Sequence, residues 1–282
     1  MAETRRLRPS SIVGYADCPR RWAARHATDL VTDAGYVLAP NRPLHIGAAV
    51  GSGVHAAVGY TLSEKLATGS LGAQSEAEGR AEAEFDARAE HGVVWDATTA
   101  DKSVAKRQLA RMSRAYRRHL APVVTPLVVE ERLEADLGDG WVLSGQADTL
   151  AGDPDVGIRD LKTGTQQRAN GVQYAAYQLL FGAHGYNATA LYEDFLRRVK
   201  IDKEQPAPVT SEIDVRSAQA DALELIDDIK RSTAEFSARV ASGRGRPPHA
   251  AFRANPASVL CAAKWCPAHG TDFCKAATHA HA

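Results

Sequence analysis

Ser144-Gly145-Gln146-Ala147-Asp148, followed by Asp160-Leu161-Lys162, decides how this sequence reads. Trp141 to Leu150 follows a Gly138-Asp139-Gly140 turn, a strong hairpin signal, which sets Asp148 late in a strand. Gly152-Asp153-Pro154-Asp155 is a second turn, and Val156 to Leu161 is a short strand running into Lys162-Thr163-Gly164. Residues i and i+2 of a strand share a face, so Asp160 and Lys162 point the same way. If the two strands are neighbours, Asp148 joins them. Converging carboxylates repel unless a divalent cation lies between them. Such an oxygen-rich site suits Mg²⁺ or Mn²⁺, and a Lys beside it can orient an attacking water or stabilise charge on a phosphate. An isolated Asp-x-Lys is more often a pair of exposed turn residues; the neighbouring residues change that weighing.

His55, in Gly51-Ser52-Gly53-Val54-His55, offers a third metal ligand from a helix. Glu130, with Glu131 beside it, lies on the strand before the hairpin and can hold a metal or its waters. Gln173 and Tyr177 stand four residues apart on one helix face and can reach back over the site. Taken singly, His55 reads as a helix histidine and Tyr177 as core.

Outward from this centre, Ala188 to Phe195 and Pro208 to Val215 read as strands. Helices are expected over 9–26, 47–67, 75–90, 101–120, 169–184 and 216–241, with 27–46 a loop. Gly51 and Gly53 are expected to open the second of these, and Leu223, Leu225, Ile226 and Ile229 to form the inner side of the last. Residues 101–120 carry seven Lys or Arg against one acid, over a thin apolar stripe of Leu109, Met112 and Tyr116. Arg107, Arg111, Arg114 and Arg118 form a row that reads equally as a solvated face or a wall for nucleic-acid phosphates. The order of elements is that of an α/β protein: a mixed sheet core flanked by helices.

The chain's 282 residues suit one large domain, or one with an appendage. With 44% apolar and 24% charged residues it is not a disordered chain. Lys plus Arg and Asp plus Glu are both 34, which argues against a polybasic tail protein but leaves room for a local basic groove. No apolar run is long enough to span a bilayer, and no signal peptide is evident, so a cytoplasmic location without membrane contact is expected. In a reducing cytosol the four cysteines, Cys18, Cys261, Cys266 and Cys274, are not expected to form disulfides.

Taken together, His55, Glu130, Gly145-Gln146-Ala147-Asp148, Asp160-Leu161-Lys162 and Gln173-Tyr174-Ala175-Ala176-Tyr177 resemble the motifs of the PD-(D/E)xK nuclease superfamily, RecB-like branch. The resemblance spans nearly the whole chain. It implies a restriction-endonuclease-like fold in one domain, 1–282, with 47–121 a helical part and 122–244 the catalytic core. It implies that His55, Glu130, Asp148 and Asp160 hold one or two divalent cations, Mg²⁺ or Mn²⁺. Lys162 then serves the attacking water, with Gln173 and Tyr177 in the site.

Leu7 to Ser11 and Cys18-Pro19-Arg20-Arg21-Trp22 also resemble the iron–sulfur members, such as AddB-type nuclease domains and CRISPR-adaptation nucleases. In those, one N-terminal and three C-terminal cysteines bind a 4Fe–4S cluster. The resemblance implies that Cys18, Cys261, Cys266 and Cys274 do the same, joining the segments 1–30 and 245–282. Spacings of four and seven residues among the last three differ from the usual two and five. Zinc, or unligated thiols, are the rival readings; zinc usually wants a Cys-x-x-Cys pair, absent here. His269, His279 and His281 read as tail residues.

The function expected is metal-dependent hydrolysis of DNA phosphodiesters, from an end if the resemblance holds, in recombination, repair, phage DNA processing or CRISPR spacer processing. No Gly-x-x-x-x-Gly-Lys-Ser/Thr occurs, so any helicase motor, recombinase or other DNA-processing subunit is a separate partner. The rival class is a non-catalytic DNA-binding or assembly module that kept the fold, and such modules tend to lose an acid or the Lys. An iron–sulfur redox protein is disfavoured because no other cofactor motif accompanies the cysteines.

Overall fold

The structure is a computed structural model describing residues 4–40, 43–152, 156–167 and 171–275. The Asp153-Pro154-Asp155 turn, the start of the 169–184 helix, His279 and His281 lie outside the described residues. The chain falls into two compact units.

The first unit comprises 1–42, 136–143 and 216–282. It holds β1 (Arg5–Leu7), α1 (Pro9–Asp17), α2 (Pro19–His26), α3 (Thr28–Asp33), α8 (Val215–Ser242) and a 3₁₀ turn at Pro248–Ala251. The single helix expected over 9–26 is two helices. Cys18 lies before a proline, which crowds it out of helical conformation, and it is extended at φ −155° and ψ 99°. Its Sγ then caps α2 by accepting the Arg21 N–H at 3.5 Å. The expected loop 27–46 contains α3. Ile226 and Ile229 are buried in α8, but Leu223 is half exposed, so the inner face is narrower than the sequence suggested. An aromatic group of Tyr36, Phe236, Phe252 and Phe273 forms the centre, with Tyr36 and Phe273 edge to face at 5.1 Å. The sequence gives no hint of β1, three residues pairing in parallel with Trp141–Leu143.

The second unit comprises 43–135 and 144–215. Its elements are β2 (Leu44–His45), α4 (Ile46–Thr68), α5 (Gln74–Ala89), β3 (Val93–Val94), α6 (Lys102–His119), β4 (Pro126–Val129), β7 (Thr149–Ala151), β8 (Gly157–Gly164), α7 (Gly171–Ala183), β9 (Ala190–Arg197) and β10 (Val209–Glu212). Strands β5 (Arg132–Gly138) and β6 (Trp141–Gln146) form the expected hairpin, turning through Gly138, Asp139 and Gly140, all at positive φ. The main sheet has the order β10-β9-β8-β7-β4. Only β8 and β9 in it are parallel, with Asp160 opposite Glu193 and Lys162 opposite Phe195.

The odd-even alternation of β8 sends Leu161 to one face of this sheet and Asp160 and Lys162 to the other. Leu161 and Leu196 join an apolar cluster with α4, α5 and α6, in which the Leu109, Met112 and Tyr116 stripe is buried. Helix α7 lies over the Asp160 face, with Gln173, Tyr174 and Tyr177 buried. The result is a mixed sheet flanked by helices, the fold class read from the sequence.

Candidate active site

Two breaks in regular structure shape the site. Asp148 sits in the two-residue gap between β6 and β7 rather than within a strand. Glu130 lies just past β4 at φ 48°, a left-handed conformation costly for a residue with a Cβ. That turn lets the Glu130 N–H donate to the Asp148 carbonyl at 3.1 Å. Both acids therefore leave the strands in which their sequence placed them.

Helix α4 supplies His55. Its first residue is Ile46, capped by the His45 side chain, so Gly51 and Gly53 do not open it. They serve close packing instead: a Cβ at Gly51 would lie 2.7 Å from Thr163 Oγ1, and one at Gly53 would lie 2.6 Å from the Ala81 carbonyl oxygen. A Cβ at Gly59 would lie 2.6 Å from Glu130 Cδ.

His55 Nδ1 and Asp148 Oδ1 are 2.8 Å apart. Asp148 Oδ2 accepts the Leu161 backbone N–H at 2.7 Å, which pins the carboxylate to β8. Lys162 Nζ lies 2.5 Å from Asp160 Oδ2. Among the described residues, this buried oxygen has no partner beyond that ion pair. Gln173 Nε2 donates to Asp160 Oδ1 at the long distance of 3.5 Å. Tyr177 packs on Gln173, and burial, then the Asp160 charge, push its phenol well up.

The electrostatics follow. Burial works against a charge on His55, yet Asp148 and, farther off, Asp160 outweigh it and raise the imidazole to about 9. Burial also pushes Asp148 upward, but His55, Lys162 and the Leu161 N–H hold it below the usual carboxylate range. Asp160 is pushed up, by burial first and then by the charge of Asp148. Glu130 is raised by burial and then by Asp148. Glu131 is exposed. Shifts of this kind are those of acids that converge on one point.

The donor chemistry, an imidazole with carboxylate oxygens, fits a small divalent cation. Among the described residues, no three His, Cys, Asp or Glu side chains are already gathered at ligand distance.

The four cysteines all line one small cavity of the first unit, with Arg21 and His269. Cys18, Cys266 and Cys274 are buried and Cys261 half-buried. Burial first, then Cys274 and Cys18, raise the thiols of Cys261 and Cys266. All-sulfur donors suit zinc or an iron–sulfur cluster.

On α6, Arg111 Nη1 donates to the Ile201 carbonyl at 2.7 Å and Arg114 forks onto Glu78 at 2.8 and 3.0 Å. Arg107 and Arg118 are exposed and make no such contacts among the described residues. The expected row of four is thus divided, two engaged internally and two facing solvent.

Residues 6–270 match the family model of the PD-(D/E)XK nuclease superfamily, and the chain belongs to that superfamily. Among solved structures, one titled "Putative exonuclease", from Eubacterium rectale, shares the fold at TM-score 0.53 and 12% identity, covering 91% of this chain and 87% of its own. A second, SSO0001, aligns at TM-score 0.34 and 12% identity over 82% of this chain and 77% of its own. No curated protein matches. The superfamily makes the chain a nuclease. No described helix is long and apolar enough to cross a membrane.

Two residues beside the site escaped the sequence reading. Tyr174 OH donates to Glu193 Oε2 at 2.5 Å, and Glu193 is wholly buried. The one signal was the adjacent pair Glu193-Asp194 in the middle of an otherwise apolar strand. Asp194 meets Arg159 in a two-pronged ion pair.

Proposed function

We propose that the protein is a divalent-metal-dependent deoxyribonuclease of the RecB-like branch that hydrolyses phosphodiesters from a DNA end. The observation that carries this reading is the meeting of Asp148, held by His55 at 2.8 Å, with the Asp160–Lys162 pair through the Leu161 N–H. His55, Glu130, Asp148 and Asp160 would hold Mg²⁺ or Mn²⁺, the metals superfamily members generally use. The metal supplies Lewis-acid activation of water and neutralises charge on the phosphate. Lys162 orients the attacking water, with its ammonium steered by Asp160. Gln173 and Tyr177 border the scissile phosphate from α7. Arg107 and Arg118 contact phosphates farther along the strand.

The reading treats 1–282 as one nuclease domain acting in the cytoplasm, in recombination, repair or phage DNA processing, with any helicase or recombinase a separate subunit. Cys18, Cys261, Cys266 and Cys274 would bind a 4Fe–4S cluster with a structural role. The shared cavity and the one-plus-three arrangement of the cysteines support it.

Anaerobically purified protein, incubated with end-labelled linear and circular DNA with and without Mg²⁺ or Mn²⁺, tests the enzyme reading. Metal-dependent loss of linear DNA is expected; no cleavage under any condition overturns it. Metal analysis with a visible spectrum tests the cluster. Stoichiometric zinc without absorbance near roughly 400 nm replaces the cluster by zinc.

A further inference from the structure

A carboxylate with no exposure to water is costly to keep unless something in the fold uses it. Glu193 is such a group. Its exposure is 0%, its Oε1 has no hydrogen-bond partner, and Tyr174 OH is the one donor to its Oε2 among the described residues. It stands on β9 directly opposite Asp160, so the two carboxylates leave adjacent parallel strands on the same face. The neighbouring Asp194, on the other face, has a guanidinium partner; Glu193 has no such cation among the described residues.

The route from Glu193 to the site runs through an aromatic ring. Tyr174 is 1% exposed, with its ring fixed beneath α7. Lys162 Nζ lies 5.7 Å from the ring centroid, within cation–π range. Burial, then Asp160 and Glu193, push the Tyr174 phenol far above its ordinary value, so its proton stays on and it donates. A phenol that donates to a carboxylate becomes more electron-rich, and a richer ring face attracts an ammonium more strongly. Lys162 therefore meets two anchors: the Asp160 carboxylate directly, and the ring that Glu193 clamps and polarises.

We propose that Glu193 is a positioning residue for Lys162, acting through Tyr174. The inference rests on Lys162 being the residue that serves the water, and concerns how its ammonium is aimed. Glu193→Gln keeps the side chain's shape and an acceptor for Tyr174 while removing the charge. Tyr174→Phe keeps the ring and removes the clamp.

Two measurements test it. In the first, each variant is assayed for DNA cleavage at saturating metal, alone and with Lys162→Ala. Glu193→Gln and Tyr174→Phe are expected to lower kcat by about two- to thirtyfold, the span of a desolvated cation–π contact, with KM for DNA unchanged. In the Lys162→Ala background, Glu193→Gln should cost nothing further. Full, additive loss in that background overturns the proposal, because Glu193 then acts without Lys162.

The second measurement needs neither metal nor DNA. Metal-free protein is treated with an amine-specific reagent, and modification of Lys162 is followed by peptide mass spectrometry, with the exposed Lys203 as reference. Lys162 should react severalfold faster in both variants and Lys203 at an unchanged rate. An unchanged Lys162 rate in both overturns the proposal. If the wild-type protein does not cut DNA, the nuclease reading falls, and this second measurement still decides whether Glu193 holds Lys162.

Discussion

Gly59 lies flat against the Glu130 carboxyl group, so close that a methyl at residue 59 would sit 2.6 Å from Glu130 Cδ. One contact thus sets both the packing of α4 and the aim of an acid from the end of β4. Gly59→Ala gains the ordinary helix preference of Ala, about 1 kcal/mol, and the atoms it displaces are the far end of the flexible Glu130 side chain, which can swing aside at little cost. The expected result is unchanged or slightly raised stability with a large loss of cleavage, because Glu130 must move. At Gly79, in α5, a methyl would meet nothing within 4 Å, and Gly79→Ala should stabilise by about 0.5–1 kcal/mol with activity unchanged. Denaturant midpoints and cleavage rates of the pair check this.

On the proposed reading, Asp160→Asn should remove activity by about a hundredfold or more, since the charge proposed to hold the metal and the carboxylate paired with Lys162 are lost together. Stability at pH 8 should hold or rise. Burial and Asp148 raise the Asp160 carboxyl, so its ionised form opposes folding, and the amide relieves that repulsion. Near-wild-type cleavage by Asp160→Asn would show that the metal lies elsewhere.

Asp96 gives a pH dependence of the opposite sign. Burial pushes its carboxyl up, but Arg198, which grips both oxygens, and the Thr98 and Thr99 N–H groups carry it down to about 2. A depressed acid contributes stability that is full above its unfolded value, near 4, and is lost as pH falls toward 2. The contribution is about 2 kcal/mol. Between pH 5 and pH 2 the wild-type protein should lose that much more stability than Asp96→Asn, which chemical denaturation at each pH would measure.

The divided row on α6 separates binding from folding. Arg107→Ala with Arg118→Ala should weaken DNA binding and reduce the slope of log affinity against log salt by up to about 2, one counterion for each phosphate contact. Arg111→Ala should leave the slope alone and lower stability by about 1 kcal/mol, through its lost bond to the Ile201 carbonyl. Salt titrations of binding, beside thermal melts, distinguish the exposed pair from Arg111.

How much of this was legible beforehand depends on the type of signal. Periodicity located α4 to α8 and strands β8 to β10 within a few residues, because each buries one face and the pattern records that, but it read β6 and β7 as one continuous strand and gave no sign of the break between β4 and β5. The Gly138-Asp139-Gly140 turn was equally plain. The split at Cys18 was readable in principle from Pro19 but was masked by continuous helical spacing on either side. The bends at Glu130 and Asp148 were not legible: each is held by a backbone hydrogen bond, and backbone bonds leave no residue signature. The same holds for the Leu161 N–H that fixes Asp148. Charge rows were the least reliable guide, since composition cannot tell Arg114, forked onto Glu78, from the exposed Arg118.

The cysteine cavity has a consequence for how the chain is made. Tyr15 bonds to Asp228 and Ser232, Arg20 to His249 and Phe252, and Asp17 to Asn255 and Ser258, while Cys18 shares its cavity with residues from 254 to 274. All these partners emerge from the ribosome more than 200 residues after the helices they hold. At about 5–20 residues per second, α1 and α2 wait roughly ten seconds to a minute for them. During that time the buried faces of Ile12, Tyr15 and Trp22 are bare, so the nascent chain offers chaperones and proteases a target that the finished protein does not. A chain stopped at about residue 214, before α8 and the cysteine-bearing tail, should keep α1 and α2 open to protease; resistance there would mean that these helices dock without their late partners.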